Sequence, residues 1–413
     1  MTVLLVNPSF TGLVSKKGQL YNWAFPPLDL LNLSAILKSR GIDTKVLDLR
    51  VSPLPKEDLI REFELASQII LTTSPLDRWQ CPNIDLRPVF ALTDLIKDKK
   101  KLIVTGVHGT VFPEYILART QAGVLIKGEP EIFFGIDTSS LDHLPAPDYG
   151  AVDIKKYRYE FLGGSFALLQ FSRGCPYDCI FCLKSMYGRG YRKKTPEKFI
   201  EEIEQAVKRA RARSIYFYDL TFTADRPSVL KICELIKQRG LKFKWCCQTR
   251  AEMVDPELLA QMRSAGCELV HFGVESGSKR ISRLLEKRTD LEEIKRGFKA
   301  CKKAGIRTAG FFMFGFPSET AADMEETIDL ALELDPDYAS FHIAIPYAGT
   351  KFYEMTGQTE RYPEMYAKEV PREQLKKVQR KAFARFYLRP GYVFKKRPFE
   401  LMSKAKLFLG FMR

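Results

Sequence analysis

Short apolar runs separated by helical periodicity open the chain. Residues 3–6, 44–47, 67–71, 102–105 and 123–126 read as strands, while 28–38 and 88–97 carry amphipathic helical patterns. Strands and helices alternating at this spacing predict an α/β unit, a doubly wound, Rossmann-like parallel sheet that takes ligands at the carboxyl ends of its strands. Over 136–163 the periodicity lapses into turn formers, the signature of a linker. A second series then begins, with strands near 167–171, 214–218, 242–247, 268–274, 308–314 and 338–343. Helical stretches at 196–210, 228–239, 257–265, 291–304 and 321–332 lie between them. Six β/α units predict a partial (β/α)6 barrel of the TIM type rather than the full eight. The expected division is 1–135, a 136–163 linker, 164–350 for the barrel, and a basic helical C-terminal region over 351–413.

Composition sharpens this picture. With 413 residues, 45% apolar and 28% charged, the chain is too long for one core and too apolar for disorder. Nine cysteines in such a length are no disulfide framework, so a reducing, cytoplasmic setting is expected. Asn7 and Pro8 interrupt the first apolar run before a signal-peptide core can form, and no secretory signal is expected. The formal net charge of +15 is unevenly spread: residues 1–150 carry 16 basic and 17 acidic groups, 151–360 carry 34 and 29, and 361–413 carry 15 and 4. The basicity therefore belongs mainly to the C-terminal region. There, basic residues interleave with Phe, Tyr, Leu and Met, a pattern suited to a helix that seals the barrel or makes peripheral contact with a membrane. No nucleic-acid-binding motif accompanies the charge, and no nucleic-acid partner is expected.

The sharpest chemical signal is SRGCPYDCIFC, in which Cys175, Cys179 and Cys182 are spaced C-x3-C-x2-C directly after the first strand of the second series. Three thiolates on one tight loop can hold three irons of a 4Fe-4S cluster and leave the fourth iron open to a small molecule. A zinc knuckle would need a fourth ligand, and no histidine or further cysteine lies nearby. At these residues the sequence resembles the radical SAM enzymes, and the resemblance extends through the second domain. It implies that the open iron binds S-adenosylmethionine (SAM), whose reductive cleavage releases a 5′-deoxyadenosyl radical. It also implies a reductant such as flavodoxin or ferredoxin.

The same resemblance assigns SAM contacts. Phe181 matches an aromatic that packs on adenine, its alternative being a core aromatic. Tyr218, Asp219, Leu220 and Thr221 occupy the place of the methionine-amino motif, without its usual Gly-Gly-Glu. Arg250 is placed to meet the SAM carboxylate, or else is an ordinary surface arginine. Glu275 and Ser276, in HFGVESGS, match the ribose motif or form a helix cap with Ser278. Gly315 and Pro317, in FGFPSET, resemble the adenine-binding turn.

The first domain resembles the cobalamin-binding domain fused ahead of the barrel in a large radical SAM branch, on VNPSF at 6–10, FPPLDLLNLSAIL at 25–37, TGVHGT at 105–110 and IKGEPE at 126–131. Cobalamin is therefore an expected cofactor. None of the four histidines meets D-x-H-x-x-G, so binding without a histidine lower ligand is implied. Arg78, Trp79 and Gln80, after the third strand, are candidate corrin contacts, with docking on the barrel as the alternative for Trp79. Gly106, His108 and Gly109, after the fourth strand, are further candidates. The combined expectation is a cobalamin-dependent radical SAM enzyme, a methyltransferase acting on an unactivated carbon of a small-molecule or lipid-like substrate. Radical oxidation, cyclisation or rearrangement, with or without cobalamin, is the first alternative, and a non-catalytic iron–sulfur electron carrier is the alternative from another class.

Overall fold

The computed structural model describes residues 2–9, 24–188 and 190–395. Phe10 of the first motif and residues 396–413 of the basic region lie outside the described residues. The first domain is a five-stranded, all-parallel sheet of β1 (Thr2–Asn7), β2 (Asp43–Asp48), β3 (Gln68–Thr72), β4 (Leu102–Thr105) and β5 (Val124–Leu125), in the order β2-β1-β3-β4-β5. The apolar run of β1 is continuous because both its faces are covered. Leu4 and Val6 enter one core with Ile69, Leu71 and Val104, while Val3 and Leu5 enter the other with Ile70 and Ile103. The strand order reverses between β1 and β3, which puts the ligand crevice at the loops that follow those two strands.

The second domain is an open half-barrel. Its sheet contains β6 (Arg158–Tyr159), β7 (Gly164–Leu169), β10 (Ser214–Phe217), β11 (Lys244–Thr249), β12 (Cys267–Glu275), β13 (Arg307–Phe314) and β14 (Tyr338–Ile343) in the order β14-β13-β12-β11-β10-β7-β6. Strands β8 (Ser172–Gly174) and β9 (Tyr191–Lys193) form a separate antiparallel ribbon. Six strands are parallel, as the sequence pattern predicts. The added β6 emerges from the expected linker and pairs antiparallel with β7.

The crossover helices begin where capping chemistry places them. Thr195, Asp225, Asp255, Asp290 and Thr320 each accept a backbone N–H of the first turn, and proline occupies the first turn of the helices after Thr195, Asp225 and Asp255. On β14, Phe341 packs outward against Phe383 and Phe386 of the helix Arg372–Tyr387, so Ser340 and His342 face the opposite side. Residues 386–390 thus seal the edge strand: the Tyr387 hydroxyl accepts from the Ala339 N–H at 3.0 Å and donates to the Ala339 carbonyl at 2.7 Å.

Candidate active site

The cysteine loop hangs from the β8–β9 ribbon. Gly174, with φ +79°, admits the chain to the loop, since a Cβ there would lie 1.9 Å from the Gly190 carbonyl oxygen. Within the loop the Cys182 N–H donates to the Cys179 carbonyl at 3.1 Å, and Lys184 Nζ donates to the Tyr177 carbonyl at 2.6 Å. Burial pushes the Cys179 and Cys182 thiols up, and the neighbouring thiols push in the same direction, so the sulfurs share one pocket. Among the described residues no three His, Cys, Asp or Glu side chains converge as a single metal ion would require. A cluster, each of whose irons takes its own thiolate, suits this donor set, and coordination would convert these raised thiols to thiolates.

Around the sulfurs the structure gathers most of the SAM candidates. Thr221 Oγ1 lies 3.4 Å from Cys175 Sγ, and Arg250 Nη1 lies 3.8 Å from Cys179 Sγ. Arg250 is no surface arginine: it is buried, its guanidinium carbon sits 3.8 Å from the Tyr177 ring centroid, and its other nitrogens reach Glu252, Thr289 and the Lys287 carbonyl. Glu275 is buried in a left-handed conformation, φ +68°, at the end of β12. Its Oε1 is 3.4 Å from Nζ of buried Lys287, a residue that sequence reasoning missed. The charges of Lys287 and Arg250 oppose the upward push of burial on Cys179. Ser278 caps the next helix and donates to Asp323 at 2.5 Å, while Ser276 is buried beside Thr327.

Two candidates organise the loops behind this pocket. The carboxylate of Asp219 accepts from the Phe171 N–H at 3.3 Å, the Ser172 hydroxyl at 2.5 Å and the Ser172 N–H. Burial raises its pKa to about 6, and it ties the end of β10 to the entry of the cysteine loop. Phe181 packs 6.0 Å from Phe316, next to the turn in which Gly315 and Phe316 donate their N–H groups to Glu319 and Pro317 follows. The aromatic and the adenine-type turn, distant in sequence, are therefore adjacent.

The first domain presents its β3 loop to this pocket. Cys81 is solvent-exposed, yet burial raises its thiol pKa and its electrostatic neighbours are Arg78 and Glu275; Cys182 in turn feels Cys81. The Tyr218 hydroxyl, at the end of β10, donates to the Asp77 carbonyl at 2.9 Å and fastens this loop to the barrel. Gln80 Nε2 is buried without a partner in the same loop, an amide donor available to a ligand rich in amide side chains. The loop thus fits a cobalamin at Arg78, Gln80 and Cys81.

The remaining first-domain candidates have packing roles. Trp79 is fully buried, donates to the Ser74 carbonyl at 3.1 Å and packs 5.1 Å from Tyr187, so it docks the domains instead of covering a corrin face. His108 is buried beside the Asn83 carbonyl at 2.8 Å, and desolvation lowers its pKa to about 4. Gly106, φ +110°, is required because a Cβ would meet Thr73 Oγ1 at 2.6 Å, and Gly109 sits against Leu125. All four are buried and pack the fold.

Comparison with known proteins agrees with this geometry. Residues 169–331 match the model of the Radical SAM superfamily. The chain is 29% identical to an uncharacterized methyltransferase of Pyrococcus horikoshii over 96% of this chain and 94% of that protein. It is 27% identical to the anaerobic magnesium-protoporphyrin IX monomethyl ester cyclase of Rubrivivax gelatinosus, over 86% of this chain and 70% of that one. Among solved structures, the cobalamin-dependent S-adenosylmethionine radical enzyme OxsB with aqua-cobalamin and S-adenosylmethionine bound aligns with 100% of this chain and 72% of its own, at a TM-score of 0.75 and 16% identity. Residues 169–331 thus match the Radical SAM superfamily, and the two domains together have the fold of OxsB.

Proposed function

We propose that the protein is a cobalamin-dependent radical SAM methyltransferase that acts on an unactivated carbon of a small-molecule or lipid-like substrate. The observation that supports this reading is the approach of two loops: the Tyr218 hydroxyl at the end of β10 donates to the Asp77 carbonyl of the β3 loop at 2.9 Å, and Cys81 of that loop has Glu275 and Cys182 of the barrel among its electrostatic neighbours. When bound, the cluster and cobalamin supply reductive SAM cleavage and a transferable methyl group. The chain's own residues do the rest. Cys175, Cys179 and Cys182 anchor the cluster, while Glu275, Ser276, Thr221 and Arg250 border the place of the SAM methionine and ribose. Phe181 with the Gly315–Pro317 turn borders the place of adenine. The interdomain packing of Trp79 closes the site against water and stray hydrogen donors.

Similarity to a methyltransferase and to a cyclase leaves cyclisation as a second reading. Protein reconstituted anaerobically with iron, sulfide and cobalamin, then reduced by dithionite or by flavodoxin or ferredoxin, is expected to convert SAM into 5′-deoxyadenosine and S-adenosylhomocysteine. Methyl-labelled SAM should pass its label to product. Deoxyadenosine without any methyl transfer would favour cyclisation, and no SAM cleavage at all would leave the electron-carrier reading. Among the described residues no helix is long and apolar enough to cross a membrane.

A further inference from the structure

The inner face of the half-barrel carries a ladder of rings. Tyr216 of β10, His271 of β12 and Phe311 of β13 stack with centroids 5.2 and 5.6 Å apart and interplanar angles of 17° and 16°, and His342 of β14 continues the row 6.1 Å beyond Phe311. One end of the ladder is closed, since Tyr216 and His271 are buried and the Tyr159 hydroxyl lies 3.1 Å from His271 Nε2. The other end is open: Phe311 is half-buried and His342 is exposed. Parallel pairing puts Gln248 of β11 beside His271 and Met313 of β13 beside His342 on this same face, and both are half-buried. Strands β12 and β14 flank β13, and Phe312 and Phe314 are buried behind it. Phe311 and Met313 can therefore meet solvent only through the hollow of the half-barrel.

That hollow adjoins the candidate active site. A Cβ on Gly273, the residue paired with Phe311, would lie 2.3 Å from Glu275 Oε1, so the Glu275 carboxylate lies over the same face. Two strand spacings separate β12 from β14, which puts His342 about 10 Å across the sheet from the end of β12. The chemistry of the open end is uncharged. Desolvation lowers the pKa of His342 to about 4, leaving a neutral imidazole, and Gln248, Phe311 and Met313 carry no charge. His342 Nε2 lies 2.8 Å from Ser340 Oγ, while Nδ1 has no protein partner among the described residues. A charged group set against this wall would lose its water with no counter-charge in return. A hydroxyl, carbonyl or amide would find the unused imidazole nitrogen.

We propose that His342 is a specificity-determining residue for the substrate, an assignment that rests on the function proposed above: through Nδ1 it hydrogen-bonds an uncharged hydroxyl, carbonyl or amide of a molecule whose apolar part lies on Phe311 and Met313. The ladder behind it holds the imidazole in place, and Ser340 fixes the nitrogen it does not use.

The test takes the full-length protein reconstituted with iron, sulfide and cobalamin and reads equilibrium binding of three probes of similar shape, naphthalene, 2-naphthol and 2-naphthoate. 2-Naphthol is expected to bind roughly threefold to tenfold more tightly than naphthalene, the span of one neutral hydrogen bond. 2-Naphthoate should bind at least about tenfold more weakly than 2-naphthol. His342→Phe keeps a ring in the ladder and removes its hydrogen-bonding nitrogens, so it should bind naphthalene as the wild type does and lose the preference for 2-naphthol. His342→Gln, with a side-chain amide, should recover that preference. Binding is read without turnover, so a failure of SAM cleavage, which would count against the proposed function, leaves this result standing. An unchanged preference for 2-naphthol in His342→Phe would overturn the proposal, as would tighter binding of 2-naphthoate than of 2-naphthol or no binding of 2-naphthol at all.

Discussion

Arg173 Nη2 lies 2.6 Å from Glu131 Oε1, with both side chains buried and the pair crossing the boundary between the two domains. Arg173 stands two residues before the first cluster cysteine, and Glu131 sits on the helix Pro130–Phe133 that follows the first sheet. Glu129 accepts from Arg173 Nη1 at 2.8 Å and also pairs with Arg192, the residue opposite Arg173 in the β8–β9 ribbon. Both arms of the ribbon that carries the cysteines are thus fastened to the first domain. The Arg173 charge holds the Glu131 carboxyl below its usual range although burial pushes the other way.

Removing one member of such a network strands the others without solvent. Glu131→Ala is therefore expected to lower the unfolding free energy by about 3–5 kcal/mol and to reduce the iron retained after reconstitution. Urea unfolding of the cluster-free protein and iron analysis check the two effects separately. A loss of less than about 1 kcal/mol, the range of surface pairs, would show that the clamp is not under load.

Lys287 is buried beside Cys179, and its one close carboxylate partner, Glu275, is 3.4 Å away. Its ammonium keeps donors free for an anionic group brought to the cluster. Lys287→Met is expected to weaken SAM binding at least tenfold, in line with the roughly 1.5–3 kcal/mol of a hydrogen bond to a charged group. Equilibrium dialysis on protein of matched cluster content measures this. Because the single variant also strands Glu275, Lys287→Met with Glu275→Gln provides the charge-matched control.

The two tryptophan-loop neighbours should separate by behaviour. Trp79→Ala removes a fully buried indole and its contact with Tyr187, and should cost about 3–5 kcal/mol of stability. Gln80→Ala should leave stability within about 0.5 kcal/mol, since its buried Nε2 has no partner to lose, while lowering cobalamin retention. Gel filtration followed by the corrin absorption band distinguishes them; equal cobalamin loss in both variants would point to loop packing as the common cause.

What could be read along the chain was whatever depends on local periodicity or on a single loop. The eleven-strand plan of two parallel series followed from apolar spacing, and the cysteines followed from their own separation. The β8–β9 ribbon and β6 were too short to show a period, at two or three residues each. Arg173, Glu131 and Lys287 escaped notice because their meaning lies in a partner on another element. One signal was available for the clamp, namely two glutamates in IKGEPE and an arginine directly before the cysteine motif. Trp79 and His108 stayed open between a ligand role and a packing role for a related reason: loop position predicts proximity to the ligand end of a sheet, whereas side-chain direction is decided by what the neighbouring elements bury.

Glu319 offers a test of how the adenine-type turn is held. It is buried, one carboxylate oxygen accepts the Gly315 and Phe316 N–H groups, and the other has no partner. Burial raises its pKa from 4.5 to about 7, against the pull of those two N–H groups. A carboxyl whose folded pKa is raised favours the folded state while protonated, so its contribution is complete below about pH 4.5 and is lost as pH rises to about 7. The loss amounts to about 3 kcal/mol across that window. Glu319→Gln keeps an acceptor for the two amides and removes the ionisation. It should match the wild type near pH 4.5 and exceed it in stability at pH 8, with the difference growing through the window. Parallel denaturation curves at all pH values would mean that Glu319 is solvated in solution and that the turn is held by other contacts.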